Sequence, residues 1–311
     1  MARKIIIDTD PGQDDAVAIL LALASPEIEV LSITTVAGNV PLPLTTRNAR
    51  LIVGLCGREV PIHAGSDAPL QRKLVTAEYV HGKTGLDGID LGEPTVPLSG
   101  EDGVGFIIDT LRREAPGTVT LVPIGPLTNI AAAFARAPDI IPRVQQIVLM
   151  GGAYFEVGNV TPAAEFNIYV DPEAAAAVFA SGVDLVVMPL DVTHKALTSA
   201  DWVAGMRALG NRAGQAVAGW TDFFERYDRE KYGAHGAPLH DPCTIAFLIR
   251  PDLFSGRRIN VEIETTGRFT TGMTVADWWG VSGRTANALF IRDIDRDGFF
   301  ALLTERIAAL P

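Results

Sequence analysis

The chain has 311 residues, 48% of them hydrophobic, enough to bury a large α/β core as one domain or two. A net charge of −11 argues against a nucleic-acid groove, which needs concentrated Lys and Arg, and no window of about 18 apolar residues offers a membrane span. Cys56 and Cys243 have no paired spacing, so neither a disulfide framework nor a zinc site is indicated, and both are expected to be small buried residues.

In chain order, the pattern predicts a strand over residues 4–8, a helix over 14–24 and a strand over 29–35. Helices follow over 44–56 and 104–114, then a strand over 119–123, a helix over 127–137 and a strand over 146–150. The second half gives a helix over 172–181, a strand over 184–189, helices over 214–231 and 241–248, and a strand over 258–264. Short β-rich runs alternating with Ala/Leu-rich helical runs indicate an α/β fold, a mostly parallel open sheet with helices on both faces. No linker, charge block or repeat divides it, so a single domain over residues 1–311 is expected. The start, Met1-Ala2-Arg3-Lys4, shows no signal-peptide pattern, and a cytoplasmic location is expected.

The turn after the first strand, Asp8-Thr9-Asp10-Pro11-Gly12-Gln13-Asp14-Asp15, carries the chemistry. Four carboxylates at one turn repel one another unless a cation neutralises them, and oxygen donors without Cys or His suit calcium or magnesium rather than zinc. Capping by Asp14 and a dipole contact by Asp15 would explain one acid at a helix start, but not four. Asp10, Asn39, Ile124 and Met150 each end or follow a predicted strand. In an open parallel sheet those ends share one edge, where ligands bind. Carboxylates in place of the glycine amides of a phosphate loop favour an uncharged polyol such as ribose.

Asp8-Thr9-Asp10-Pro11-Gly12-Gln13-Asp14-Asp15-Ala16 resembles the N-terminal signature of the inosine-uridine-preferring nucleoside hydrolases. Thr35-Val36-Ala37-Gly38-Asn39, Ile124-Gly125-Pro126-Leu127-Thr128-Asn129, Met150-Gly151-Gly152, Ala164-Glu165-Phe166-Asn167 and Leu239-His240-Asp241-Pro242 resemble further blocks, in family order. The resemblance implies calcium-dependent hydrolysis of the N-glycosidic bond of ribonucleosides through an oxocarbenium-like transition state. It implies calcium ligands at Asp10, Asp15 and Asp241 with the Ile124 carbonyl, and a water-activating base at Asp10. Ribose contacts are implied at Asp14, Asn39, Met150, Asn159, Glu165 and Asn167. His240 is the implied leaving-group acid, and the implied base contacts are His81, Phe166, Tyr227 and Tyr232. Related enzymes are commonly dimers or tetramers, so a homo-oligomer is expected.

Each residue also has a plainer reading. Asp241 before Pro242 suits a helix cap, Asn39 a turn and His81 a solvated loop, while Phe223, Trp278 and Trp279 suit either packing or stacking on a base. The segment 233–238 suits a flexible cover over the base. Two other functions compete. A haloacid-dehalogenase-like phosphatase would share Asp8-Thr9-Asp10, but Gly12 stands where that signature needs Thr or Val. A calcium-dependent nucleoside- or ribose-binding protein would share the pocket without needing His240 beside a general base.

Overall fold

The computed structural model describes residues 2–233 and 236–311, and the side chains of Asp228 and Tyr232 lie outside the described residues. Strands β1 (Arg3–Thr9), β2 (Ile28–Thr35), β3 (Ile62–Ala64), β4 (Val119–Pro123), β5 (Val144–Met150) and β6 (Leu185–Met188) run in one direction. β7 (Phe254–Ile259) pairs antiparallel with a last strand, so the sheet is mostly parallel, as expected. β8 (Val261–Ile263) and β9 (Thr274–Ala276) form a separate antiparallel pair. With β10 (Ala288–Ile294), the eight-stranded sheet has the order β3-β2-β1-β4-β5-β6-β10-β7.

The run expected as one strand over 258–264 is therefore two. The chain leaves β10 after Ile259, and Val261 takes up pairing with Ala276 instead. Asn260 holds this break by donating to the Thr285 carbonyl, while Asn287 Oδ1 accepts from Val261 N.

Alternation along the strands divides the core. Ile5 and Ile7 pack into one layer and Ile6 into the other; Val148 and Val186 join the first, Leu149 and Val187 the second. The first layer contains α1 (Gln13–Ala24) and α2 (Leu42–Leu55); beyond its acidic first turn α1 is apolar on every side, which suits its buried place. A one-turn helix, α3 (Glu78–His81), stands before α4 (Gly103–Arg113) and α5 (Thr128–Arg136), which cover the opposite layer.

The short α6 (Phe166–Val170) leads into α7 (Pro172–Phe179), and α8 (Leu190–Thr193) is a single turn after β6. The helices α9 (Ala200–Ala208), α10 (Arg212–Tyr232), α11 (Pro242–Ile249) and α12 (Arg296–Ala308) complete the first layer.

After β1 the chain builds outward through β2 to β3, then returns to β4 on the other side of β1. That reversal is a topological switch point, and the crevice beyond the carboxyl ends of β1 and β4 is its binding place. Asp10 and Ile124, the residues immediately after these strands, stand there.

Candidate active site

The acidic turn is built by α1's first residues. Gly12 is the N-cap; Asp15, three residues on, accepts from Gly12 N at 2.9 Å and from the Thr9 hydroxyl. Capping therefore falls to Asp15 rather than Asp14. This pulls the Asp15 carboxylate toward the strand end and leaves Asp14 lining the cavity above. Asp241, just before Pro242, makes no side-chain cap, so the plain capping reading fails there.

Its carboxylate instead joins Asp14 and Asp15. Ligand oxygens of these three lie within 4.8 Å of one another, and all three residues are buried. Burial, and then repulsion from neighbouring carboxylates, holds Asp241 well above the ordinary carboxylate range; Asp15 is raised, chiefly by burial. Such a cluster is out of balance without a cation or a shared proton.

Asp10 lies beneath the cavity, fully buried and outside that group of three. One oxygen accepts from Asn39 N at 2.7 Å; Oδ1 has no hydrogen-bond partner. Gly38 and Gly125 make this possible, because a Cβ at either position would collide with the Asp10 carboxylate. Burial and the charge of Asp15 push Asp10 well above its ordinary value. An orphaned buried acceptor beside three crowded carboxylates is the pattern that a hard cation and a proton-bearing water would satisfy.

Asp8 separates from the other three acids of the turn. Its Oδ1 accepts from the Asn129 amide at 2.8 Å and from Thr34, Oδ2 has no partner, and burial raises it to about 7.

Above the acids opens a small cavity of about 90 Å³. Asn39, Ile124, Met150, Asn159, Glu165 and Asn167 all line it, so six of the implied contacts converge. Their hydrogen bonds tie the floor together. Asn167 Nδ2 donates to the Ile124 carbonyl at 2.9 Å and to the Met150 carbonyl at 3.2 Å, while Asn39 Nδ2 donates to the Asp10 carbonyl.

The Glu165 carboxylate accepts from the backbone N–H groups of Gly152, Asn167 and Ile168, which makes it the cap of α6 as well as a lining residue. Asn159 Oδ1 accepts from Phe166 N.

Part of the wall is aromatic. His81, Phe166 and Tyr227 line it; Tyr232 has its side chain outside the described residues, as do Ala234 and His235 of the expected cover. Phe223 borders a neighbouring surface cleft, and Trp278 and Trp279 stack against arginines away from the cavity. His81 is no loop residue. It ends α3, and burial lowers it to about 3.

His240 has Nδ1 2.7 Å from the Thr193 hydroxyl, and burial, then the nearby His194 and His81, hold it well below the ordinary histidine range. Sequence reasoning missed Tyr79, Phe224 and His194, which also line the cavity. Phe224 stacks on His81 at 5.6 Å, and an aromatic inside a helix gave no signal to distinguish it from core.

The parallel sheet and the site at its switch point define an α/β enzyme acting on a small molecule. Residues 5–301 match the family described as inosine-uridine preferring nucleoside hydrolase. An uncharacterised protein of Schizosaccharomyces pombe is 55% identical over 99% of this chain and 100% of its own length. A protein of Citrobacter koseri named as a pyrimidine-specific ribonucleoside hydrolase is 48% identical over 99% of each chain.

Among solved structures, a purine-preferring ribonucleoside hydrolase from Gardnerella vaginalis superposes with a TM-score of 0.92 at 33% identity, covering 98% of each chain. The chain belongs to the inosine-uridine preferring nucleoside hydrolase family, and it is an N-glycosidase acting on ribonucleosides.

Proposed function

We propose that this enzyme hydrolyses pyrimidine ribonucleosides first among its substrates, with Asp10 as general base and calcium as cofactor. The observation that carries the reading is the junction of a buried three-carboxylate group with an amide-lined floor and an aromatic wall in one cavity. Calcium fits the donor set, would be held by Asp14, Asp15 and Asp241, with Asp10 and the Ile124 carbonyl proposed to complete its shell, and when bound would acidify water and anchor a polyol.

The chain's own groups complete the chemistry. Asn39, Asn159, Glu165 and Asn167, with Asp14 and the Met150 carbonyl, orient the ribose hydroxyls, since amides and carboxylates together meet both their donor and acceptor capacities. Asp10 takes a proton from the water as its oxygen bonds to the anomeric carbon and the bond to the base nitrogen breaks. The surrounding carboxylates stabilise positive charge on the ribose. His240 directs a hydrogen to the departing base, and His81, Phe166 and Tyr227 surround that base.

The preference for pyrimidines is supported by the 48% identity to the Citrobacter koseri protein of that name, against 33% to the purine-preferring one. A panel of uridine, cytidine, inosine, adenosine and guanosine assayed for free ribose tests it; faster release from the purines would reverse it. We further propose a cytoplasmic, single-domain homo-oligomer, dimer or tetramer, checked by light scattering on the eluting protein. Among the described residues no helix is long and apolar enough to cross a membrane.

A further inference from the structure

The two histidines of the cavity are held by partners of opposite hydrogen-bonding sense. Gln13 Nε2 donates to two carbonyls, His81 O and Asp87 O, each at 3.0 Å, so both amide hydrogens are engaged and the amide orientation is fixed. Gln13 Oε1, an acceptor only, lies 2.7 Å from His81 Nδ1. The hydrogen between them belongs to His81, which leaves His81 Nε2 as a bare lone pair.

At His240 the order is reversed. Thr193 is fully buried on α8, and the sole partner of its hydroxyl among the described residues is His240 Nδ1. Were Nδ1 to carry the hydrogen, the buried hydroxyl would have nowhere to donate, so the hydroxyl donates to Nδ1 and the neutral ring carries its hydrogen on Nε2. Neither Nε2 has a hydrogen-bond partner among the described residues or is an orphaned buried atom, and both rings line the cavity.

We propose that Thr193 and Gln13 are positioning residues that lock the cavity histidines in opposite tautomers, His240 presenting an Nε2–H donor and His81 an Nε2 acceptor to the leaving base. This rests on the reading that both rings face that base. A donor set in advance stabilises charge as it develops on the leaving group without a reorganisation step. An acceptor beside it gives the base one orientation, because a base turned over would set donor against donor. Thr193 touches no substrate and acts through His240; without its hydroxyl the ring is free to hold its hydrogen on Nδ1, where it faces away from the cavity.

The test is a nitrogen-15 spectrum of the calcium-loaded enzyme with labelled histidines, joined to kinetics. The expected spectrum shows a protonated Nε2 and bare Nδ1 for His240, and the reverse for His81; a shared tautomer, or either ring reversed, overturns the proposal. Thr193→Val is expected to lower kcat on uridine about tenfold, the size of one lost hydrogen bond, with KM little changed.

The same variant should hydrolyse p-nitrophenyl riboside, whose leaving group needs no assistance, at a near-normal rate, and Thr193→Ser should restore uridine turnover. Full uridine turnover in Thr193→Val while His240→Ala is slow overturns the proposal and spares the reading of His240. Full turnover in His240→Ala overturns that reading and the rate effect of Thr193 with it. If Thr193→Val does not fold, the wild-type spectrum and the Ser variant decide.

Discussion

Replacing Asp8 by Asn separates the structural acid of the first turn from the functional ones. Asp8 is fully buried, its Oδ1 serves Thr34 and Asn129, and its Oδ2 has no partner. Burial raises it from 3.8 to about 7. Because the folded value lies above the unfolded one, its contribution to stability is fully present below about pH 4 and is lost as pH rises to about 7. That rise, at about 1.4 kcal/mol for each tenfold, corresponds to about 4 kcal/mol, an upper figure, and more than half of it falls between pH 5 and pH 8.

The amide of Asp8→Asn keeps an oxygen for both donors and never ionises. Urea unfolding of chelator-treated wild type and variant at pH 5, 7 and 9 should therefore show the variant gaining on the wild type as pH rises. Parallel stability profiles would instead place the charge of Asp8 in contact with solvent or a cation.

Asp10→Asn should leave a folded protein with kcat reduced at least about a hundredfold, measured by ribose release, because the amide fills the space but cannot take the proton. His240→Ala should cost roughly a hundredfold on uridine and little on p-nitrophenyl riboside; equal losses on both would make it a residue that positions substrate. Glu165→Gln should raise KM and lower the melting temperature together, since its carboxylate accepts three backbone N–H groups and an amide nitrogen cannot accept any. Unchanged melting would mean that α6 and the Gly152 loop do not depend on it.

The sheet was legible because its central strands are continuous apolar runs, as buried parallel strands must be, and α1 followed an acidic turn that can only be a boundary. The convergence of Asp10, Asn39, Ile124 and Met150 was legible for the same reason: strand ends share an edge. What escaped was short or locally ordinary. β3 has three residues and α8 four, too few for any period, yet α8 carries Thr193 and precedes His194. Residues 258–264 kept one strand-like pattern across a change of pairing partner, which depends on Asn260 meeting Thr285 and Val261 meeting Asn287 in space. Asp241 looked like a cap because Pro242 follows it, and only the fold turns its carboxylate toward Asp14 and Asp15.

The dependence of hydrolysis on a calcium ion held by Asp14, Asp15 and Asp241 is the core of the proposed function. Its most direct test is a calcium titration of exhaustively chelated protein by calorimetry, with uridine turnover and melting temperature read on the same sample. One ion per chain is expected, with recovery of turnover in step with occupancy and about 2.7 kcal/mol of added stability when calcium stands a hundredfold above its dissociation constant. Full turnover in protein shown to be free of metal would contradict it.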